Sequence, residues 1–561
     1  MPTTVIRSRS IPRAPAPAEP RTVQAADLRR WLQDGTEIAL LDVREHGEYG
    51  EGHPFLSVSL PYSRLELDIG RLVPRLDTRV VLLDNGDASQ LADRAAARLR
   101  GLGYSGVHQL AGGVATWPGT GAALFKGVNL PSKTFGEKAE IAWHVPHISA
   151  AGLKARQQSG EPLVLLDGRT LEEHRKMTIP GALPVPNGEL PLRWRSVVPD
   201  DTVTIVVHCA GRTRSIVGAQ ILRDLGVPNP VVALENGTQG WALAGFALEH
   251  GSDRQLPDTP GTAAREAARI DAETAARRED VPTLTVAAAQ VWIDDQRHTT
   301  YALDIRTAAE FEAGHLAGSA HAPGGQLLQA TDLSIGVRGS RVLVLDGDNV
   351  RAPLVALWLR RLGFDAALVD GGIAARLSLP KQRRFQPKPL PLRHTAELAA
   401  ICAGTDGRTP PVLVDLRGSQ VFRRGHPQGA LWSIRPRLVA DVRKATRGDT
   451  ARSVLIVFDE PDVAALAATD LRDAGWTDVS AVLASQAHDA GWPSDVTPQS
   501  PADADAIDYL LFVHDRHDGN LDAARRYLEW ETGLLAQCTA DELATFRLPE
   551  TTAPARAKAA A

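Results

Sequence analysis

Cysteine is scarce in this chain: three residues in 561, at positions 209, 402 and 538. So few thiols exclude a disulfide framework, and with no CxxC pair or Cys/His ligand set they exclude a zinc-ribbon type of site; no metal and no cofactor are expected. No run of about 18 apolar residues occurs, which excludes a membrane-spanning helix. Residues 1–20 are rich in proline and alanine, with arginines but no apolar stretch, so no secretory signal is read there and a cytoplasmic location is expected. A net charge of −5 with signs intermixed speaks against a nucleic-acid footprint. His514-Asp515-Arg516-His517-Asp518 is the one metal-like cluster. Lacking ligand spacing, it reads as a solvated lead-in to a helix capped near Asn520.

What is present is repetition. Asp-x-Arg follows an apolar run at Asp42/Arg44, Asp167/Arg169, Asp304/Arg306 and Asp415/Arg417. A second apolar run ends 42 residues after the Asp in three copies, at Asp84, Cys209 and Asp346, and 44 residues after it in the fourth, at Asp459. Each is followed by a helical stretch, a short strand and a small-residue turn, as in Leu110–Trp117, Leu234–Trp241, Val369–Ala374 and Val482–Ala487. Self-similarity at a fixed period implies four units, each of ordinary domain size and each able to bury its own core. Short apolar strands alternating with amphipathic helices imply a parallel sheet covered on both faces, with ligands at the carboxyl ends of the strands.

The units are bounded at 21–130, 131–255, 283–385 and 386–498, with a flexible tail at 1–20, a helical linker at 256–282 and a helical extension at 499–561. Linkers are read around Gly127–Lys138, Gly261–Asp280 and Lys381–Pro391. In the extension, Leu521–Leu535 is partly amphipathic and is expected to pack against a repeat, with a partner-binding helix as the alternative.

Only the second unit has a cysteine at the end of its second apolar run. Cys209 stands where a strand at Val203–Val207 gives way to a helix at Ser215–Leu225, in the segment His208-Cys209-Ala210-Gly211-Arg212-Thr213-Arg214-Ser215. Backbone N–H groups curling toward a sulfur at a helix N-terminus favour the thiolate and lower a thiol pKa from about 8.5. Gly211 lets the backbone bend, and Arg212 and Arg214 add positive charge; a merely buried cysteine has no use for them. The N–H groups of Ala210, Gly211, Arg212, Thr213, Arg214 and Ser215 form the expected anion cradle. Arg212 is expected to face outward toward an anionic donor, and Arg214 to brace the cradle or pair with a carboxylate.

Asp167 and Arg169 lie in the cysteine-bearing unit, but the pair recurs where the cysteine is missing, so it is read as structural support for a strand end. His208 is read as a strand-end histidine rather than a base. Trp241 is either a pocket wall or a core aromatic. Cys402, beside Leu398 and Ile401, is read as a core residue, and Cys538 as part of a helix-helix turn before the capping box that begins at Thr539.

Taken together these residues resemble the rhodanese (sulfurtransferase) family, in four copies across about residues 21–498. The markers are Asp-x-Arg throughout, Glu310-Phe311-x-x-Gly314-His315-Leu316-x-Gly318-Ser319, Glu48-Tyr49-x-x-Gly52-His53, and the Cys209–Arg214 loop. The resemblance implies four tandem doubly wound parallel-sheet domains of class α/β. It also implies a Cys209 that takes a sulfane sulfur from a small-molecule donor such as thiosulfate, carries it as a persulfide and passes it to a thiol or cyanide acceptor. The other units carry aspartate at that position and cannot do this; they are expected to shape the site or dock an acceptor protein. The second unit departs from the family pattern, reading Glu173-His174-Arg175-Lys176-Met177-Thr178 without a Gly-His pair.

Two other classes stay open on sequence. A cysteine phosphatase or arsenate reductase would use a similar loop, but those resemble Cys-x5-Arg, whereas Cys209 to Arg214 is Cys-x4-Arg and position 215 is Ser. A binding scaffold with a vestigial site is the other. Cys209-Ala210-Gly211-Arg212 matches neither the Cys-Arg-Lys-Gly of thiosulfate enzymes nor the Cys-Gly-x-Gly of mercaptopyruvate enzymes, so the donor is left undecided.

Overall fold

The computed structural model describes residues 21–402 and 409–549. The tail at 1–20 and the end of the extension lie outside these residues, as does the side chain of Cys402.

Three five-stranded sheets share one topology. In the second, strands run in the spatial order His147–Ile148, Val231–Leu234, Thr204–His208, Leu163–Asp167, Leu183–Pro184, and every pairing is parallel. The central strand Thr204–His208 is buried along its whole length, which is why an unbroken apolar run encodes it. The first sheet (strands between Thr22 and Leu110) and the third (between Thr283 and Val369) repeat this order. The fourth has four parallel strands, Leu431–Trp432, Val412–Asp415, Val454–Phe458 and Val479–Leu483. Its missing edge strand survives as a single bridge between Leu392 and Ala481. The architecture is therefore α/β with several parallel-sheet units and a C-terminal helical part.

The first three units do not keep separate cores. Each has its own apolar cluster on one face of its sheet, but on the other face the clusters merge into one that runs through all three. Phe546 of the extension wedges into it, 5.4 Å from Phe135 and 6.2 Å from Phe55 by ring centroids, and Phe135 meets Trp358 edge-on at 5.7 Å. The fourth unit holds two clusters of its own.

The segment read as a linker around Gly127–Lys138 is instead mostly helix. Leu130–Trp143 begins after Asn129, which sits in the left-handed region at φ 57°, and packs against the helix Thr213–Asp224. With Leu130, Phe135 and Ala139 buried, tertiary packing supplies what its weakly amphipathic pattern does not announce. A helix over Thr262–Arg278 joins the halves of the chain, and Leu521–Thr532 opens behind Asn520, whose side chain accepts from the Ala523 N–H at 3.0 Å.

Candidate active site

Cys209 follows the last residue of the central strand, and the helix Thr213–Asp224 starts four residues later. The first N–H groups of that helix have no acceptor within it. Cys209 is 3 % exposed, and the Ser215 hydroxyl donates to its Sγ at 3.1 Å. The loop is stitched down from behind: the Thr238 N–H donates to the Cys209 carbonyl at 2.8 Å, and the Gln239 N–H to the Ala210 carbonyl at 3.0 Å. That approach requires Gly237, at φ 52°, because a Cβ there would stand 2.2 Å from the Cys209 carbonyl oxygen.

Arg214 pairs with Glu173 through two hydrogen bonds of 2.7 Å. Burial works to raise the Glu173 pKa, but the Arg214 guanidinium outweighs it and holds the carboxyl down at about 2. Arg212 does not face outward as expected. Its guanidinium is clamped against the helix Leu130–Trp143, donating to Glu137 at 2.7 and 3.0 Å and also to Glu140, and its side chain is only 12 % exposed. Burial pushes Glu137 up to about 7 even beside Arg212. The helix hidden in the supposed linker thus occupies the cation that was expected to meet the donor.

Asp167 and Arg169 are tied to each other, as their counterparts are in every unit. The Arg Nε donates to the Asp Oδ1 at 2.9 Å in the first three units and 3.0 Å in the fourth, and the same guanidinium also reaches a carbonyl eight residues on. In units one, three and four the following helix carries an aromatic ring stacked on a histidine: Tyr49 on His53, Phe311 on His315, Phe422 on His426. In the second unit His174 and Thr178 take those positions and both bond Asp167 Oδ2, at 3.0 and 2.9 Å. This accounts for the missing Gly-His pair. His208 Nε2 lies 3.7 Å from the same oxygen, and burial holds its pKa down at about 4 despite the carboxylate. Asp167, though fully buried, is held well below the usual carboxylate range by His208 and Arg169. Trp241 belongs to the core, where it packs on Phe246 and donates to the Ala247 carbonyl at 2.9 Å.

A cavity of about 250 Å³ opens over the loop, lined by Cys209, Ala210, Gly211, Arg212, Thr213 and Arg214 from the second unit. Ser215 sits beneath it. The far walls come from elsewhere: Lys133 from the helix Leu130–Trp143, Gln326 and Gln329 from the third unit, and Arg516, His517, Tyr527, Trp530 and Glu531 from the extension. Glu531 is buried, accepts from the Thr213 hydroxyl at 2.7 Å and lies 3.6 Å from Lys133, whose ammonium also donates to the Tyr527 hydroxyl. Gly211 admits this wall, since a Cβ there would come within 2.9 Å of both Tyr527 and Glu531. His517, read as solvated, lines the cavity and is held down at about 3 by burial and by Arg516. Sequence pattern missed these residues; the apolar stripe through Ala524, Tyr527 and Leu528 was the one signal that the helix is covered.

The aspartates that replace the cysteine show what the loop binds. Asp84 accepts from the N–H groups of Gly86 and Ala92 at 2.9 Å each. Asp346 accepts from those of Gly347, Arg351 and Ala352 at 2.7, 2.8 and 3.3 Å. In both, the turn glycines and the stitch to the loop carbonyl (Val114 to Asp84, Ile373 to Asp346, 2.9 Å each) match those around Cys209. In the fourth unit the helix starts at Pro461, two residues after Asp459, which shortens the loop. Among the described residues no group of His, Cys, Asp and Glu is arranged to hold a metal, and no helix is long and apolar enough to cross a membrane.

Comparison with known proteins adds to this geometry. A crystal structure of a thiosulfate sulfurtransferase from Pseudomonas aeruginosa superposes with a TM-score of 0.84 at 36 % identity, covering 94 % of this chain and all of that one. YrkF of Bacillus subtilis (strain 168), named as a candidate sulfur carrier, is 33 % identical over 103 residues, 18 % of this chain and 54 % of YrkF. The HTH-type transcriptional regulator Rv0324 of Mycobacterium tuberculosis is 34 % identical over 107 residues, 19 % of this chain and 45 % of the regulator. The chain spans about half the length of these two curated relatives. The profile of the rhodanese-like domain matches residues 24–119, 149–244 and 285–377, the first three sheets. By these matches, which together take in half its length, the chain belongs to the rhodanese-like family.

Proposed function

We propose that the protein is a sulfurtransferase in which Cys209 of the second unit carries a sulfane sulfur from thiosulfate or a related donor to a thiol or cyanide. One observation carries this reading: the loop that holds a carboxylate in units one and three holds a nucleophilic sulfur in unit two. The P. aeruginosa thiosulfate sulfurtransferase, matched along its whole length, supports the substrate class.

In the first half-reaction the Cys209 thiolate attacks the outer sulfur of thiosulfate. The Sγ–S bond forms, the S–S bond of the donor breaks, and sulfite leaves with its electron pair. The terminal sulfur of the persulfide carries the negative charge and lies in the amide cradle, with the Arg214 charge beside it. In the second half-reaction the acceptor's lone pair attacks that sulfur, the Sγ–S bond breaks, and its electrons return to Cys209. With cyanide the product is thiocyanate. Ser215 holds the sulfur in register by its hydrogen bond, and the Glu173–Arg214 pair fixes the cation that flanks it. His208, buried and kept neutral, serves the strand end.

The test is intact-mass measurement after incubation with thiosulfate. The expected result is a gain of one sulfur, removed by cyanide and absent from Cys209→Ser. Turnover of a chromogenic phosphate ester without sulfur uptake would instead identify a phosphatase.

A further inference from the structure

Four cations line the cavity above Cys209, and three are answered by carboxylates: Arg212 by Glu137, Arg214 by Glu173 and Lys133 by Glu531. The fourth, Arg516, has no carboxylate at ion-pair distance among the described residues. Its guanidinium lies over the Tyr527 ring at 4.6 Å, its Nη1 makes one long 3.4 Å bond to the Val513 carbonyl, and its Nε is buried without a partner. Tyr527 is the ring that leaves no room for a Cβ on Gly211, so one aromatic side chain lies between Arg516 and the cysteine loop.

Two further N–H donors on the same walls are buried and unpartnered: Trp530 Nε1 on the extension and the side-chain amide of Gln239, a residue only 3 % exposed whose backbone anchors the loop. Gln239 Nε2 lies 3.6 Å from where a Cβ on Gly211 would stand. Buried donors are almost always satisfied, so three of them with an unanswered cation around one cavity describe a receptor for an anion with several acceptor oxygens. The acceptors left over nearby are Glu531 Oε2, on a carboxylate whose charge is matched by Lys133, and Gln239 Oε1 of the same neutral amide; His517 Nδ1 is also buried without a partner.

We propose that Arg516 and Trp530 of the C-terminal extension, with Gln239, bind the anionic sulfonate end of the sulfur donor, so that the extension supplies the donor specificity of the second unit. This rests on the sulfurtransferase reading. It moves the donor-binding role from Arg212 to a residue some 300 positions further along the chain.

The test uses the full chain. With thiosulfate and cyanide, Arg516→Gln is expected to raise the donor KM about ten- to hundredfold, the range for loss of a charge-assisted hydrogen bond, with kcat within about twofold. Arg516→Lys should recover most of the affinity, and Arg525→Gln, exposed on the helix Leu521–Thr532, should change nothing. With dimethyl trisulfide, an uncharged sulfane donor, Arg516→Gln should match the wild type. In parallel, sulfite binding to Cys209→Ser protein, followed by calorimetry, should weaken about tenfold or more when Arg516→Gln is added. An unchanged thiosulfate KM or sulfite affinity would overturn the proposal, as would an equal rise in KM for the uncharged donor. If Cys209 takes sulfur from no donor, the transfer reading falls, while the sulfite measurement still decides the anion site.

Discussion

The second and third units share one loop geometry but differ in the residue at its centre, cysteine in one and aspartate in the other. Asp346 occupies the place of Cys209, Arg351 the place of Arg214, and Glu310 the place of Glu173; both arginines make a paired contact with their glutamate. In unit three the Asp346 carboxylate also takes the Arg351 guanidinium, and Arg351 reaches across to Glu189 of unit two at 3.0 Å, so its cradle is filled by its own side chain and tied into the interface. In unit two the sulfur is neutral when protonated and small, and a cavity lies over it. The comparison teaches that the loop is an anion site first. Cysteine turns that site into chemistry, and aspartate turns it into a structural joint.

The strongest way to break this comparison is to make unit two resemble unit three. Cys209→Asp should abolish sulfur transfer, a loss of at least about a thousandfold, because no persulfide can form. The same variant should melt within about 2 °C of the wild type by calorimetry, since the amides and Ser215 are ready to receive a carboxylate. A carboxylate buried without such donors costs about 3–5 kcal/mol, so a large drop in melting temperature would show that the cradle does not accept anions. A smaller effect sharpens the comparison. Glu173→Gln removes the charge that fixes Arg214 and should lower kcat/KM about ten- to hundredfold, whereas the matching Glu310→Gln in unit three should leave steady-state turnover alone. Equal effects from the two substitutions would mean that the arginine–glutamate pair acts through the fold and not on the reacting sulfur.

Much of this was legible along the chain because it is local. Asp-x-Arg recurs at fixed spacing, and its ion pair and the carbonyl it reaches lie within ten residues of the Asp, so repetition alone separated its structural role from the chemistry of Cys209. The cysteine loop was legible for the same reason: strand, turn, glycine and helix are consecutive. What escaped was long-range. Arg212 read as free because Glu137 and Glu140 lie more than 70 residues upstream, on a helix whose glycine and lysines resemble a linker. The cavity wall of Arg516, Tyr527, Trp530 and Glu531 lies some 300 residues downstream, and no local periodicity says what a helix packs against. The shared core of the first three units escaped for the same reason: each repeat taken alone has the size and pattern of an independent domain.

The central claim, that the loop of unit two holds a negative sulfur as the loop of unit three holds a carboxylate, is tested most directly by a crystal structure of the protein after reaction with thiosulfate. A second sulfur on Cys209 is expected within hydrogen-bond distance of the backbone N–H groups of residues 210–215, in the place that corresponds to the Asp346 carboxylate held by Gly347, Arg351 and Ala352. A persulfide turned out of that ring of amides, or an unmodified Cys209 in protein shown by mass to carry sulfur on Cys402 or Cys538, would contradict it.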